Sequence, residues 1–182
     1  RTDHHWQPLG AYYAAEAFAK TAGLDFPKLS EYEQVQRDGY VGSMYNYSKD
    51  ENLYNDPETF TMYISPNDAD LKTTYYDEYF RNGYESDLFV SRSAASYYCS
   101  FLGSDDRIAK IETGANTGKT LVVIKESYGN AVVPFLTSSF DTIYVLDLRY
   151  LEYNAIDFCK EVGATDVLFA LCTFTPAGGN VT

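Results

Sequence analysis

The chain has 182 residues, 45% of them apolar, which suits one domain burying roughly 70% of its unfolded surface in a single core. Fourteen basic residues against 26 acidic ones leave a net charge of −12, a surface that repels phosphate backbones and anionic headgroups and excludes nucleic acid as a partner. The longest apolar run, residues 131–136, is far shorter than the ~20 residues of a membrane span, so no membrane insertion of this fragment is expected.

The first element is a motif, Arg1-Thr2-Asp3-His4-His5-Trp6, and it holds the only two histidines of the chain. Imidazole is the side chain that moves protons near neutral pH, so acid/base chemistry is expected to rest on this segment. Asp3 is spaced to accept a hydrogen bond from one ring nitrogen of His5, which leaves the other nitrogen free as a base. The chain begins with Arg and no signal-peptide pattern follows, so it reads as the trimmed C-terminal part of a longer protein.

Residues 8–22, alanine-rich with Pro8 near the start and Gly23 beyond the end, predict a helix. Residues 29–38 predict a short polar helix. Residues 39–98 read as an irregular, Tyr-rich insertion of short strands and long loops, with one alternating run at 59–64. The second half is more regular. Strands are predicted at 120–124, 142–147 and 166–171, with helices between them at 131–138 and 152–162. Strands alternating with helices predict a doubly wound α/β core whose sheet is mainly parallel. The whole is read as one domain over 1–182.

Reactive groups in such sheets gather at the carboxyl ends of the strands, and Ser127 stands there, just past the 120–124 run. Its hydroxyl is a candidate nucleophile; the simpler alternative is that Ser127 caps the following helix. Asp3, His5 and Ser127 together supply acid, base and nucleophile. Arg149, near a strand end, is a candidate ligand for an acyl or sugar group, with an ion pair to Asp147 or Asp141 as the alternative. The tyrosines at 40, 45, 47, 54, 63, 75, 76, 79 and 84 suit sugar stacking or strand packing equally.

Thr2-Asp3-His4-His5-Trp6 with Pro8-Leu9-Gly10-Ala11-Tyr12, and the block Leu121 to Ala131 with Pro134-Phe135-Leu136, resemble the DHHW protein family. Gly42-Ser43, Phe101-Leu102-Gly103 and Asp147-Leu148-Arg149-Tyr150 resemble further family positions. This family is similar to the SGNH-hydrolase-like proteins of bacterial polysaccharide O-acetylation. The resemblance implies a three-layer SGNH-like fold with Asp3 as orienting acid, His5 as base, Ser127 as nucleophile and His4 as a non-catalytic neighbour. It also implies oxyanion donors at the Ser127 backbone, Gly103 and Asn130. An acylated polysaccharide or acyl donor is the implied partner, no cofactor or metal is required, and the implied location is extracytoplasmic. Related proteins carry a second glycine after Phe-Leu-Gly where this chain has Ser104-Asp105-Asp106, and an acid beside a developing oxyanion is unhelpful unless it points away.

The resemblance thus implies a serine esterase or O-acyltransferase acting on acetyl esters of a cell-envelope or secreted polysaccharide, and two rival readings stand beside it. One is a catalytically silent carbohydrate-binding or scaffold domain. The other uses Asp3, His4 and His5 as metal ligands, although one short segment offers few of them. Residues 114–120 miss the phosphate-loop spacing and read as the turn before a strand. Asp68-Asp70 and Asp105-Asp106 miss the EF-hand spacing. Cys99, Cys159 and Cys172 read as buried free thiols. Asn46 and Asn180 begin glycosylation sequons of a kind common by chance.

Overall fold

The computed structural model describes residues 2–66, 68, 71–103, 105, 107–173 and 175. Asp70, Ser104, Asp106 and the sequon at 180–182 lie outside them. Helix α1 (Pro8–Thr21) begins with proline where a missing N–H costs nothing, and buries Ala11, Tyr12, Ala15 and Ala19 on one face. Residues 29–38 are not a helix. After one 3₁₀ turn at Leu29–Glu31 they form strand β1 (Glu33–Tyr40), followed by short helices α2 (Ser43–Ser48) and α3 (Glu51–Tyr54). β1 pairs antiparallel with β2 (Glu58–Ile64), with Val35 opposite Met62 and Arg37 opposite Phe60. The apolar face belongs to the partner strand, so the polar sequence of β1 alone gave no strand signal.

The main sheet contains β3 (Lys72–Tyr76), β4 (Tyr84–Glu85), β5 (Ile108–Glu112), β6 (Thr120–Lys125), β7 (Thr142–Asp147) and β8 (Asp166–Ala170), in the order β4-β3-β5-β7-β6-β8. Only β7-β6-β8 is parallel; the pairings β4-β3, β3-β5 and β5-β7 are antiparallel. The sheet is therefore mixed, not mainly parallel. The β-helix alternation that predicts parallel strands exists only after residue 120. The antiparallel half is recruited from the Tyr-rich region and from β5, whose Ile108, Ala109 and Ile111 are buried between half-exposed Lys110 and Glu112.

Both faces of the sheet are covered. Leu121 and Val123 point into a core shared with α1, Phe60, Met62 and Phe135, while Val122 and Ile124 face Phe158 of α4 (Ala155–Glu161). The helix predicted at 131–138 is replaced by two 3₁₀ turns, Ser127–Ala131 and Val133–Leu136. Pro134 tolerates only the first turn of a helix, and its ring forbids an α-helix running through from Asn130. Among the described residues no helix is long and apolar enough to cross a membrane. The cysteines are free, but Cys99 is exposed and the other two are half-buried, so the expectation of buried thiols fails.

Asp68 gives one pH prediction. Burial, only partly offset by the Ser65 N–H and the Thr137 hydroxyl, pushes its carboxyl up from 3.8 to about 6. The folded state thus holds this proton more tightly than the unfolded state, and the resulting stability, present below 3.8, is lost as pH rises through 6. Asp68→Asn is expected to raise the melting temperature at pH 7 by about 2–4 °C and to leave it unchanged near pH 4. Equal pH dependence of the two proteins would refute the assignment.

Candidate active site

The N-terminal segment is pinned by its neighbours. Thr2 is fully buried and donates its hydroxyl to Glu58 at 2.6 Å, while its own oxygens receive the N–H groups of Gly42 and Met44 at 3.2 and 2.9 Å. This holds Asp3 against the turn that opens α2. Gly42 is needed there, because a Cβ at that position would stand 2.5 Å from the Asp3 Cβ and overlap its carboxylate. Gly42→Ala is expected to cost ~1–3 kcal/mol in overpacking against Asp3. Thermal unfolding measures it, and an unchanged melting temperature would sink the argument.

Asp3 Oδ1 accepts from His5 Nδ1 at 2.6 Å and from the His5 N–H at 2.8 Å, and Oδ2 accepts from the Ser43 N–H at 2.8 Å. Burial opposes the charge on Asp3, but these bonds outweigh it and hold the carboxyl well below the usual carboxylate range. An ionised carboxylate only accepts, so the proton of neutral His5 sits on Nδ1 and Nε2 is the basic nitrogen. That nitrogen lies 2.8 Å from Ser127 Oγ. His4 is turned outward onto the Ser43 hydroxyl, and burial, then the neighbouring His5 ring, lowers its pKa.

Ser127 does not cap a helix. The cap of its 3₁₀ turn is Glu126, whose carboxylate accepts the Tyr128 N–H at 3.2 Å and lies 3.5 Å from Ser127 Oγ. A residue the sequence reading missed, Tyr98, ties the two halves of the site together. Its ring is stacked on His5 at 3.9 Å and 5°, and its hydroxyl donates to the carbonyls of Ser127 and Tyr128 at 3.0 and 3.1 Å. Trp6 donates to the same Tyr128 carbonyl at 3.0 Å. No periodicity marks Tyr98 among 18 tyrosines.

These groups open on a cavity of about 590 Å³ that also exposes Gly103, Asn130, Asp105 and Arg149. Leu102 and Gly103 are both left-handed, φ +60° and +56°, and Arg92 clamps the Gly103 carbonyl at 2.6 Å. The N–H groups of Gly103 and Ser127 bond no acceptor among the described residues. Asn130 instead donates its amide to Asp105 at 2.8 Å. Arg149 is committed to Asp147 at 2.8 and 2.6 Å, while Asp141 is held by the N–H groups of Thr117 and Gly118. Asp105 does not point away; it lines the cavity and is paired with Lys125 at 2.8 Å. Of the tyrosines, Tyr40, Tyr63 and Tyr75 are core, and exposed Tyr47 lines the cavity. One donor atom each from Asp3, His4 and His5 lies within 4.8 Å of the others, but the Asp3 and His5 atoms already bond each other. A second cleft, about 660 Å³ and lined by Asp68, Thr73 and Phe89, contains neither histidine nor cysteine.

The family model described as DHHW protein matches residues 1–146. The chain belongs to the DHHW family. It is 46% identical to a DHHW family protein from Eubacterium siraeum of known crystal structure, with a TM-score of 0.94, covering 100% of this chain and 61% of that one. Bacillus cereus PatB1 carrying a sulfonyl adduct is 20% identical with a TM-score of 0.72, over 93% of this chain and 58% of that one. A second PatB1 structure gives 20% and 0.70, covering 93% of this chain and 60% of that one. At that identity the likeness to PatB1 is one of fold. The chain spans 58–61% of the length of these solved chains. No curated protein matches it.

Proposed function

We propose that this chain forms the acyl-transfer centre of an SGNH-like serine esterase or O-acyltransferase acting on acetyl esters of an extracytoplasmic polysaccharide. The observation that carries the reading is one line of hydrogen bonds, Asp3 to His5 at 2.6 Å and His5 to Ser127 at 2.8 Å. Ser127 Oγ attacks the acyl carbonyl carbon while His5 Nε2 takes its proton. The carbonyl π electrons move to oxygen, where the N–H groups of Ser127 and Gly103 and the Asn130 amide serve as donors. Collapse breaks the bond to the alkoxide, which leaves with the proton from His5. Water or a sugar hydroxyl then gives its proton to His5 as it attacks the acyl-Ser127 carbonyl, and collapse breaks the bond to Ser127 Oγ, which takes that proton back from His5 while the acyl group departs as the acid or the sugar ester.

The acetyl and polysaccharide parts of this reading rest on the family resemblance and on the fold shared with PatB1. Sulfonyl electrophiles capture an activated hydroxyl, so the adduct on PatB1 makes that reagent class the first probe. Phenylmethanesulfonyl fluoride at neutral pH is expected to add one sulfonyl group to this chain, mapped to Ser127 by peptide mass, and His5→Ala is expected to prevent it. A rival reading, a silent carbohydrate-binding domain, is favoured by exposed Tyr47 and by the Asp105 carboxylate in the cavity wall. It predicts that Ser127 stays unmodified while a reactive serine protease in the same tube is labelled.

A further inference from the structure

Lys125 is the one cation fully within the core among the described residues, 2% exposed at the carboxyl end of β6 and two residues before Ser127. Parallel pairing of β6 with β7 sets it directly beside Asp147. Its ammonium donates to Asp147 at 3.1 Å and to Asp105 at 2.8 Å. Arg149, held by Asp147 through both oxygens, reaches the far oxygen of Asp105 at 3.5 Å. Two cations and two anions thus close a neutral ring beneath the cavity. A buried ring of this kind is weak evidence of stability, so its effect is to be sought in what it presents to the site.

The member that touches the site is Asp105. The oxygen already bonded to Lys125 also accepts Asn130 Nδ2 at 2.8 Å. A carboxamide can present either end, but an ionised carboxylate accepts only, so it selects the nitrogen. Asn130 Oδ1 is accordingly turned away, buried without a partner among the described residues. The second hydrogen on Nδ2 remains for the cavity that Asn130 shares with Ser127.

We propose that Asp105 is a positioning residue: neutralised by Lys125 and Arg149, its carboxylate holds the Asn130 carboxamide nitrogen-first, as a donor to the oxyanion formed at Ser127. The proposal rests on Ser127 being the nucleophile. Lys125 has a defined part in it. With its charge offset, Asp105 orients Asn130 without repelling the oxyanion; uncompensated, the same carboxylate opposes it.

The test is turnover of a chromogenic acetyl ester by the whole chain, with circular dichroism to verify folding. Asn130→Ala is expected to lower kcat about 10²-fold and Asp105→Asn about 10-fold, with KM within about twofold. The double variant D105N/N130A should be no slower than N130A, because Asp105 acts through Asn130. Lys125→Met should fall about 10²-fold, and K125M/D105N should recover to within about threefold of D105N. Charge balance alone also predicts that recovery, because Arg149 stays paired with Asp147; a purely structural ring is distinguished by the Asp105–Asn130 cycle, where it predicts that D105N costs the same factor with Asn130 present or absent. The proposal alone is overturned if D105N costs the same factor in the N130A background as in the wild type, or if K125M/D105N is no faster than K125M. Should K125M fail to fold, the Asp105–Asn130 cycle decides. If Ser127→Ala keeps wild-type turnover, or the wild type neither hydrolyses the ester nor takes the sulfonyl group, the acyl-transfer reading falls and this proposal with it.

Discussion

Ser127→Ala is expected to lower turnover of a chromogenic acetyl ester by about 10⁴-fold or more, leaving only what the oxyanion donors and binding supply. The substitution removes the hydroxyl that His5 Nε2 reaches at 2.8 Å. Tyr98 keeps its bond to the residue 127 carbonyl, because that bond is to backbone. The turn is therefore expected to persist, and the melting temperature to change by less than about 2 °C, since small changes at a half-exposed side chain cost little. A variant that folds like the wild type and still turns over the ester would remove Ser127 from the mechanism.

Asp3→Asn is expected to lower the same rate by about 10⁴-fold, for a different reason. The amide that replaces the carboxylate offers a donor as well as an acceptor, so it no longer dictates that His5 carries its proton on Nδ1. With the proton on Nε2, the ring donates to Ser127 and cannot accept from it. The substitution also weakens the hold on the backbone N–H groups of His5 and Ser43, at 2.8 Å each. A pH signature accompanies it. The folded carboxyl lies below the ordinary value of 3.8, so the stability it contributes is present above that value and is lost as pH falls through the folded one. Wild type and variant are expected to differ most in melting temperature above about pH 5 and to converge toward about pH 2. Equal rates, or parallel acid-unfolding curves, would show that Asp3 neither orients His5 nor is held ionised.

The strands at 120–124, 142–147 and 166–171 were legible because each is a continuous apolar run needing no partner to declare it. The structure ends β8 at Ala170 and starts α4 at Ala155, small shifts at element ends. β1 and β5 were not legible. Their sequences are half polar, and what makes them strands is the apolar residues across the ladder, Met62 and Phe60 for β1, Ile143 and Val145 for β5. The mixed sheet follows from the same blindness, since the antiparallel partners of β7 and β5 come from stretches with no strand pattern of their own.

The candidate site divides along the same line. Asp3, His5 and Ser127 could be named from local spacing and family motif, because the chain has only two histidines and Asp3 stands two residues before one of them. Tyr98 and Lys125 could not, and by sequence alone Asp105 counts as a liability. Tyr98 is one of 18 like residues, and the meaning of Asp105 depends on a lysine 20 positions later and an arginine 44 positions later. The sequence by itself determined the chemistry available, through short-range pattern and rare side chains. Only the tertiary structure decided that the Asp105 charge is offset, that Asn130 presents its nitrogen, and that Tyr98 braces His5 against the Ser127 turn. Each of those depends on contacts between residues far apart in the chain, which local pattern does not encode.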